Sequence, residues 1–176
     1  MFFCVFIFLG GGFVRMFKIK NLEGVENVQL KVIENRENFM DDDFDFTKIE
    51  IAEFLEEHLG RFGDPLDEII DSMDYALTDG KYRGGFILVL HNEDNILGAV
   101  VMNNTGMKGY IPENILVYIA VNKEYRGKGI GGKLIDEAIK KADGEVALHV
   151  EYDNPAKRLY ERKGFESKYA EMRLKN

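Results

Sequence analysis

Ile115-Leu116-Val117-Tyr118-Ile119-Ala120-Val121, followed by Arg126-Gly127-Lys128-Gly129-Ile130-Gly131-Gly132-Lys133, is the stretch on which the reading of this chain turns. The first seven residues are almost wholly apolar, as expected of a strand buried on both faces in the middle of a sheet. The second run opens a helix expected over about Ile130 to Ala142. A glycine-rich loop between a buried strand and a helix makes an anion site. Glycine lets backbone N–H groups approach a phosphate, and the helix N-terminus adds a favourable dipole.

Three phosphate-binding patterns overlap in that loop. Gly127, Gly129 and Gly132 fit G-x-G-x-x-G, with Glu151 at the distance of a ribose-binding acid. Five residues separate Val121 from Gly127, however, whereas that fingerprint sets its first glycine almost directly on the strand end. Gly127 with Gly132-Lys133 fits most of a P-loop, but Leu134 stands where the magnesium-binding hydroxyl belongs. The third pattern, Arg126-x-x-Gly129-x-Gly131, resembles the pyrophosphate motif of the GNAT superfamily of N-acetyltransferases.

Two further features carry that resemblance. Outward from the loop, the expected elements follow the family's order. Val28 to Glu34 alternates with Val28, Leu30 and Val32 on one face. Thr47-Lys48-Ile49-Glu50 is a capping box opening a helix with Ile49, Ala52, Leu55 and Leu59 on one side, closed by Gly60. Asp64-Pro65 reads as the N-cap and first residue of a second helix, with a stripe of Leu66, Ile69, Ile70, Met73 and Leu77. A hairpin follows, Phe86–His91 and Ile96–Asn103, turning at residues 92–95. Beyond the central strand and its helix come a strand at Val146–Val150, a short helix at Pro155–Lys163 and a last strand at Tyr169–Leu174. The second feature is the string Asp153-Asn154-Pro155-Ala156-Lys157-Arg158-Leu159-Tyr160-Glu161-Arg162-Lys163-Gly164-Phe165, which looks like the family's second motif. The resemblance spans Val28 to the C-terminus.

The resemblance implies an α/β fold with a mixed, mostly antiparallel central sheet. That sheet would splay between the Ile115–Val121 and Val146–Val150 strands and be flanked by helices. It implies acetyl-CoA as acetyl donor, no metal, and direct transfer to a primary amine in a ternary complex. Backbone groups of Ile119, Ala120 and Val121 would pair with pantetheine. Amides of Arg126, Gly127, Lys128, Gly129, Ile130, Gly131 and Gly132 would hold the pyrophosphate, with Lys128 and Lys133 adding positive charge or standing as a solvated helix face. Asn154 would hydrogen-bond pantetheine, although the usual spacing falls on Asp153. Tyr160, four residues after Ala156 on one helix face, would serve the departing thiolate, the alternative being a core tyrosine beside Leu159 and Phe165. For the base, Glu113, Tyr118, His149, Glu151 and a water chain stay open. A non-catalytic acyl-CoA sensor on the same fold is the rival reading.

Composition sets the outer limits. The 176 residues, 45% apolar and 31% charged, make one ordinary globular domain. A formal charge of −8 argues against phosphate-backbone binding, so no nucleic-acid partner is expected. No stretch is long enough for a membrane span. Lone Cys4 permits no internal disulfide, which points to the cytoplasm, and offers no acetyl-cysteine near the loop. Residues 1–15, an apolar run before Gly10-Gly11-Gly12, read as leader sequence with translation starting at Met16, leaving residues 16–176 as the domain. The acceptor is expected to be a small-molecule or peptide amine, with homodimerisation open. Asp41, Asp42, Asp43, Asp45, Glu53, Glu56 and Glu57 would draw in a cation or simply face solvent.

Overall fold

The computed structural model describes residues 15–16, 27–42, 44–80 and 83–174. The proposed leader, apart from Arg15, and Cys4 with it, lie outside the described residues. A six-stranded sheet in sequential order forms the centre. Its strands are β1 (Arg15–Met16), β2 (Gln29–Ile33), β3 (Gly85–His91), β4 (Ile96–Asn104), β5 (Asn114–Val121) and β6 (Val146–Leu148). All neighbours run antiparallel except β5 and β6, which are parallel. The helices α1 (Lys48–Leu59) and α2 (Leu66–Ala76) cover one face, and α3 (Ile130–Lys141) covers the other. A short α4 (Lys157–Arg162) follows β6.

Strand periodicity divides the core into two. Ile33, Ile87, Val89, Ala99 and Val101 pack under α1 and α2 with Ile51, Leu55, Ile69 and Met73. Leu30, Leu88, Leu90, Val100 and Met102 pack under α3 with Ile130, Leu134 and Ala138. Each fully buried aliphatic side chain contributes about 1.5–3 kcal/mol, so the two clusters fix the helices to the sheet. The capping box forms as the sequence requires. Glu50 Oε2 accepts from the Thr47 N–H at 2.8 Å, and Thr47 Oγ1 accepts from the Glu50 N–H at 3.2 Å. The buried stripe of α1 runs through Ile51, Ala52, Phe54 and Leu55, whereas Ile49 faces out.

Three sequence expectations need correction. The Val146–Val150 strand stops at Leu148. Tyr169–Leu174 forms no strand: Tyr169, Met172 and Leu174 are 77%, 93% and 90% exposed, so their apolar alternation meets no partner surface. The central strand is buried at alternate positions only, and β6 pairs with just its first three residues.

That short overlap positions the site. Asn114, Ile115 and Leu116 pair with Val146, Ala147 and Leu148, and then the two strands part. A bulge coincides with the parting. Val101 pairs with Tyr118 and Met102 with Leu116, leaving Val117 as the extra residue. Such an insertion bends a strand and re-aims its side chains. Leu116, Ile119 and Val121 consequently pack on the α3 side, while Val117, Tyr118 and Ala120 pack on the α1–α2 side.

Candidate active site

Beyond Leu116, β5 keeps one edge paired with β4, while its other edge no longer pairs with β6. Ile119, Ala120 and Val121 lie along this stretch. The backbone groups on its free edge are the kind that an extended ligand pairs with.

The loop at the end of β5 joins it to α3. Asn122 caps a turn of 3₁₀ helix at Lys123–Tyr125 by accepting from the Glu124 N–H at 3.0 Å. Gly129 then takes a left-handed conformation, φ 84°, immediately before α3, which glycine adopts without steric cost. A Cβ on Gly127 or Gly129 would meet no atom within 4 Å, so that side of the loop is open. The first intrahelical bond runs from the Lys133 N–H to the Gly129 carbonyl, so the amides before it have no acceptor within the helix. Open space, orphan donors and a helix N-terminus together fit an anionic diphosphate.

Arg126 does not offer its guanidinium to this loop. Its Nε donates to the Val121 carbonyl at 3.1 Å, and a terminal nitrogen donates to the His58 carbonyl at the end of α1. Its side chain therefore braces the loop against α1. Lys128 lies over Tyr125, with Nζ 5.0 Å from the ring centroid. Gly131 and Gly132 have a packing role that the glycine pattern did not reveal. A Cβ on Gly131 would stand 3.3 Å from Leu159, and one on Gly132 would stand 3.4 Å from Lys163. Their bareness lets α4 lie against the start of α3.

That contact brings the second motif beside the opening. Asn154 Oδ1 accepts from the Ala156 N–H at 2.9 Å, which holds the side chain at the head of α4. Tyr160 is 8% exposed and meets Phe165 edge-on, centroids 6.0 Å apart. Burial pushes its phenol up to about 12. It therefore stays protonated across the physiological range and is able to donate.

The structure separates the candidate bases. Glu113 lies at the start of β5, away from the phosphate loop, and its Oε2 accepts from the Glu145 N–H at 2.9 Å. That backbone bond holds its carboxyl below the usual range. Tyr118 is 6% exposed and donates its hydroxyl to Asp64 Oδ2 at 2.7 Å, so a proton already occupies the oxygen a base would need free. Burial first, then Asp64 and Glu68, push that phenol well above its ordinary value. His149 and Glu151 are exposed in the segment that follows β6. Sequence reasoning missed the end of α1 and its connection to α2, which together meet the site in three places. The His58 carbonyl takes Arg126, Arg61 pairs with Asp153 at 2.7 Å, and Asp64 takes Tyr118.

Among the described residues, no group of three His, Cys, Asp or Glu side chains is placed to hold a metal. No helix among them is long and apolar enough to cross a membrane.

This mixed sheet with its glycine loop is matched among known proteins. Residues 83–167, a little under half of the chain, match the family model of the acetyltransferase (GNAT) domain. It is 34% identical over 85 residues to N-alpha-acetyltransferase 30 of Schizosaccharomyces pombe. That match covers 46% of this chain and 57% of the relative, so the chain spans little more than half the relative's length. Solved structures share the fold at low identity. A possible acetyltransferase from Clostridium difficile 630 is 22% identical with a TM-score of 0.55, over 84% of this chain and 97% of that one. The aminoglycoside N-acetyltransferase AAC(6')-Iy, solved in complex with CoA, is 14% identical with a TM-score of 0.59, over 85% and 96% of the two chains.

Proposed function

We propose that the protein transfers an acetyl group from acetyl-CoA to a primary amine by direct attack in a ternary complex. The observation that carries this reading is the parting of β5 from β6 after Leu116, beside the orphan amides at the head of α3. In this reading the free edge of Ile119–Val121 takes the pantetheine arm as an added strand, and one of its amides polarises the thioester carbonyl. The amides from Arg126 to Gly132 take the pyrophosphate, and Asn154 presents its Nδ2 donors to pantetheine. The acceptor nitrogen forms its bond to the carbonyl carbon as the carbon–sulfur bond breaks. Tyr160 gives the departing sulfur a proton or hydrogen bond. The proton shed by the amine leaves through water, His149 or Glu151, since Glu113 and Tyr118 are committed elsewhere. Support for acetyl transfer also comes from the family match and from the relative that is an N-alpha-acetyltransferase.

Following coenzyme A thiol release from acetyl-CoA across a panel of peptides, amino acids, polyamines and aminoglycosides tests the reading. Release that depends on the amine supports it. Release absent across the whole panel, with acetyl-CoA still bound, overturns it.

A further inference from the structure

Asp64 stands directly before Pro65 and α2, where an aspartate ordinarily caps its own helix. It does not do so here. The α2 N-terminus has no cap from its flanking side chain, and the Leu66 N–H is instead taken by Glu56 Oε1, reaching from α1, at 3.0 Å. The Asp64 carboxylate turns away from the helix and accepts from the Tyr118 hydroxyl at 2.7 Å.

Tyr118 gives that bond its significance. The residue sits at the bulge, two positions beyond the last residue paired with β6 and directly before Ile119, where the proposed pantetheine edge begins. Its ring is buried in the apolar layer beneath α1 and α2, so its hydroxyl has a fixed place. A rigid donor thus aims an exposed carboxylate, and only one of the two carboxylate oxygens is used by it. Glu68 lies one helical turn further on and acts on the same phenol. From the C-terminal segment, Arg173 comes within electrostatic range of Asp64, but its side chain is already paired with Glu171. With Arg173 paired to Glu171, the Asp64 and Glu68 carboxylates leave this corner cation-seeking.

We propose that Asp64, aimed by Tyr118, binds a second positive charge on the acceptor, so that the preferred acceptor is a dication carrying another cationic group near its reacting amine. The proposal rests on the acetyltransferase reading above and adds the acceptor's chemistry to it. Tyr118 acts through Asp64 and is a positioning residue; Asp64 is the residue that touches the substrate. The step requires no further co-reactant, because the second cation is bound and not transformed.

Matched acceptors test this: lysinamide against norleucinamide, and 1,4-diaminobutane against n-butylamine. In each pair the second member lacks the extra charge. Wild-type kcat/KM should favour the dication by about tenfold or more in at least one pair. Asp64→Asn should raise KM for the dication by a similar factor and leave KM for its singly charged partner and the affinity for coenzyme A unchanged. Tyr118→Phe should raise the same KM by less, about threefold, with kcat little changed, and a thermal melt confirms that it folds. Equal use of both members of each pair by the wild type, or an Asp64→Asn loss that is the same for both members, overturns the proposal while leaving acetyl transfer intact. A wild type that binds coenzyme A but acetylates none of the four, nor any amine of the broader panel, overturns the acetyltransferase reading and this proposal with it.

Discussion

Replacing Tyr160 with phenylalanine removes one oxygen and keeps everything else the residue does. The ring remains 8% exposed against Phe165 at a centroid distance of 6.0 Å, so the edge-to-face contact survives. Burial alone raises the phenol to about 12, the signature of a hydroxyl desolvated without a charged partner. Deleting such a group relieves a desolvation cost of about 1 kcal/mol, which moves the melting midpoint of a domain this size by about 2–4 °C, upward or not at all. Catalysis should respond differently. If the phenol supplies a proton or hydrogen bond to the thiolate, its loss lowers kcat by about 10²–10⁴-fold. That is about 3–5 kcal/mol of barrier, several times the stability change. Acetyl-CoA affinity should hold, because the charge on sulfur develops only as the bond breaks. Steady-state kinetics, coenzyme A titration and a thermal melt on one preparation separate the terms. Normal kcat with an altered melt makes Tyr160 a core residue and refutes the reasoning, provided pre-steady-state bursts show that chemistry limits turnover.

The remaining predictions concern the loop and the frame. Gly129→Asp with Gly131→Asp places carboxylates at the α3 N-terminus and in contact with Leu159, so coenzyme A binding by titration calorimetry should fall at least a hundredfold. Gly85→Ala should destabilise by more than about 3 kcal/mol in denaturant melts, since the new Cβ would stand 1.9 Å from the Met102 carbonyl at φ 152°. Glu56→Ala should cost about 0.5–2 kcal/mol by the same measurement through loss of the α2 cap. Stability should hold up to about pH 10 and fall as the pH rises towards about 12. The unfolded chain ionises Tyr160 first while the folded chain keeps the proton, costing up to about 1.4 kcal/mol per pH unit. Tyr160→Phe should remove that part of the decline.

Local grammar made much of this fold legible. Thr47 and Glu50 form their capping box, Gly129 turns left-handed where the chain enters α3, and the alternation of β2 to β4 sorts side chains onto two faces. The parting of the sheet was legible through the family resemblance and not through periodicity, because an apolar strand looks the same whether or not its neighbour diverges. Non-local substitutions were hidden. Nothing in Asp64-Pro65 reveals that Glu56 takes over the cap, or that Tyr118, distant in sequence, claims the aspartate. Arg126 similarly bonds two carbonyls, and a motif that names the residue says nothing of where its guanidinium goes. The alternation at Tyr169–Leu174 promised a strand, but a strand requires a neighbour to pair with, and β6 ends at Leu148.

Acetyl transfer itself is tested most directly by following the label. Acetyl-CoA carrying a heavy isotope in the acetyl group is incubated with the protein and with lysinamide, 1,4-diaminobutane and a peptide bearing a free N-terminus, and the products are read by mass spectrometry. The account predicts labelled acetyl on an amine nitrogen of the acceptor, in amounts equal to the coenzyme A released, and none when the amine is omitted. Coenzyme A released without labelled amine, or acetyl-CoA bound and recovered intact with every acceptor, would contradict it.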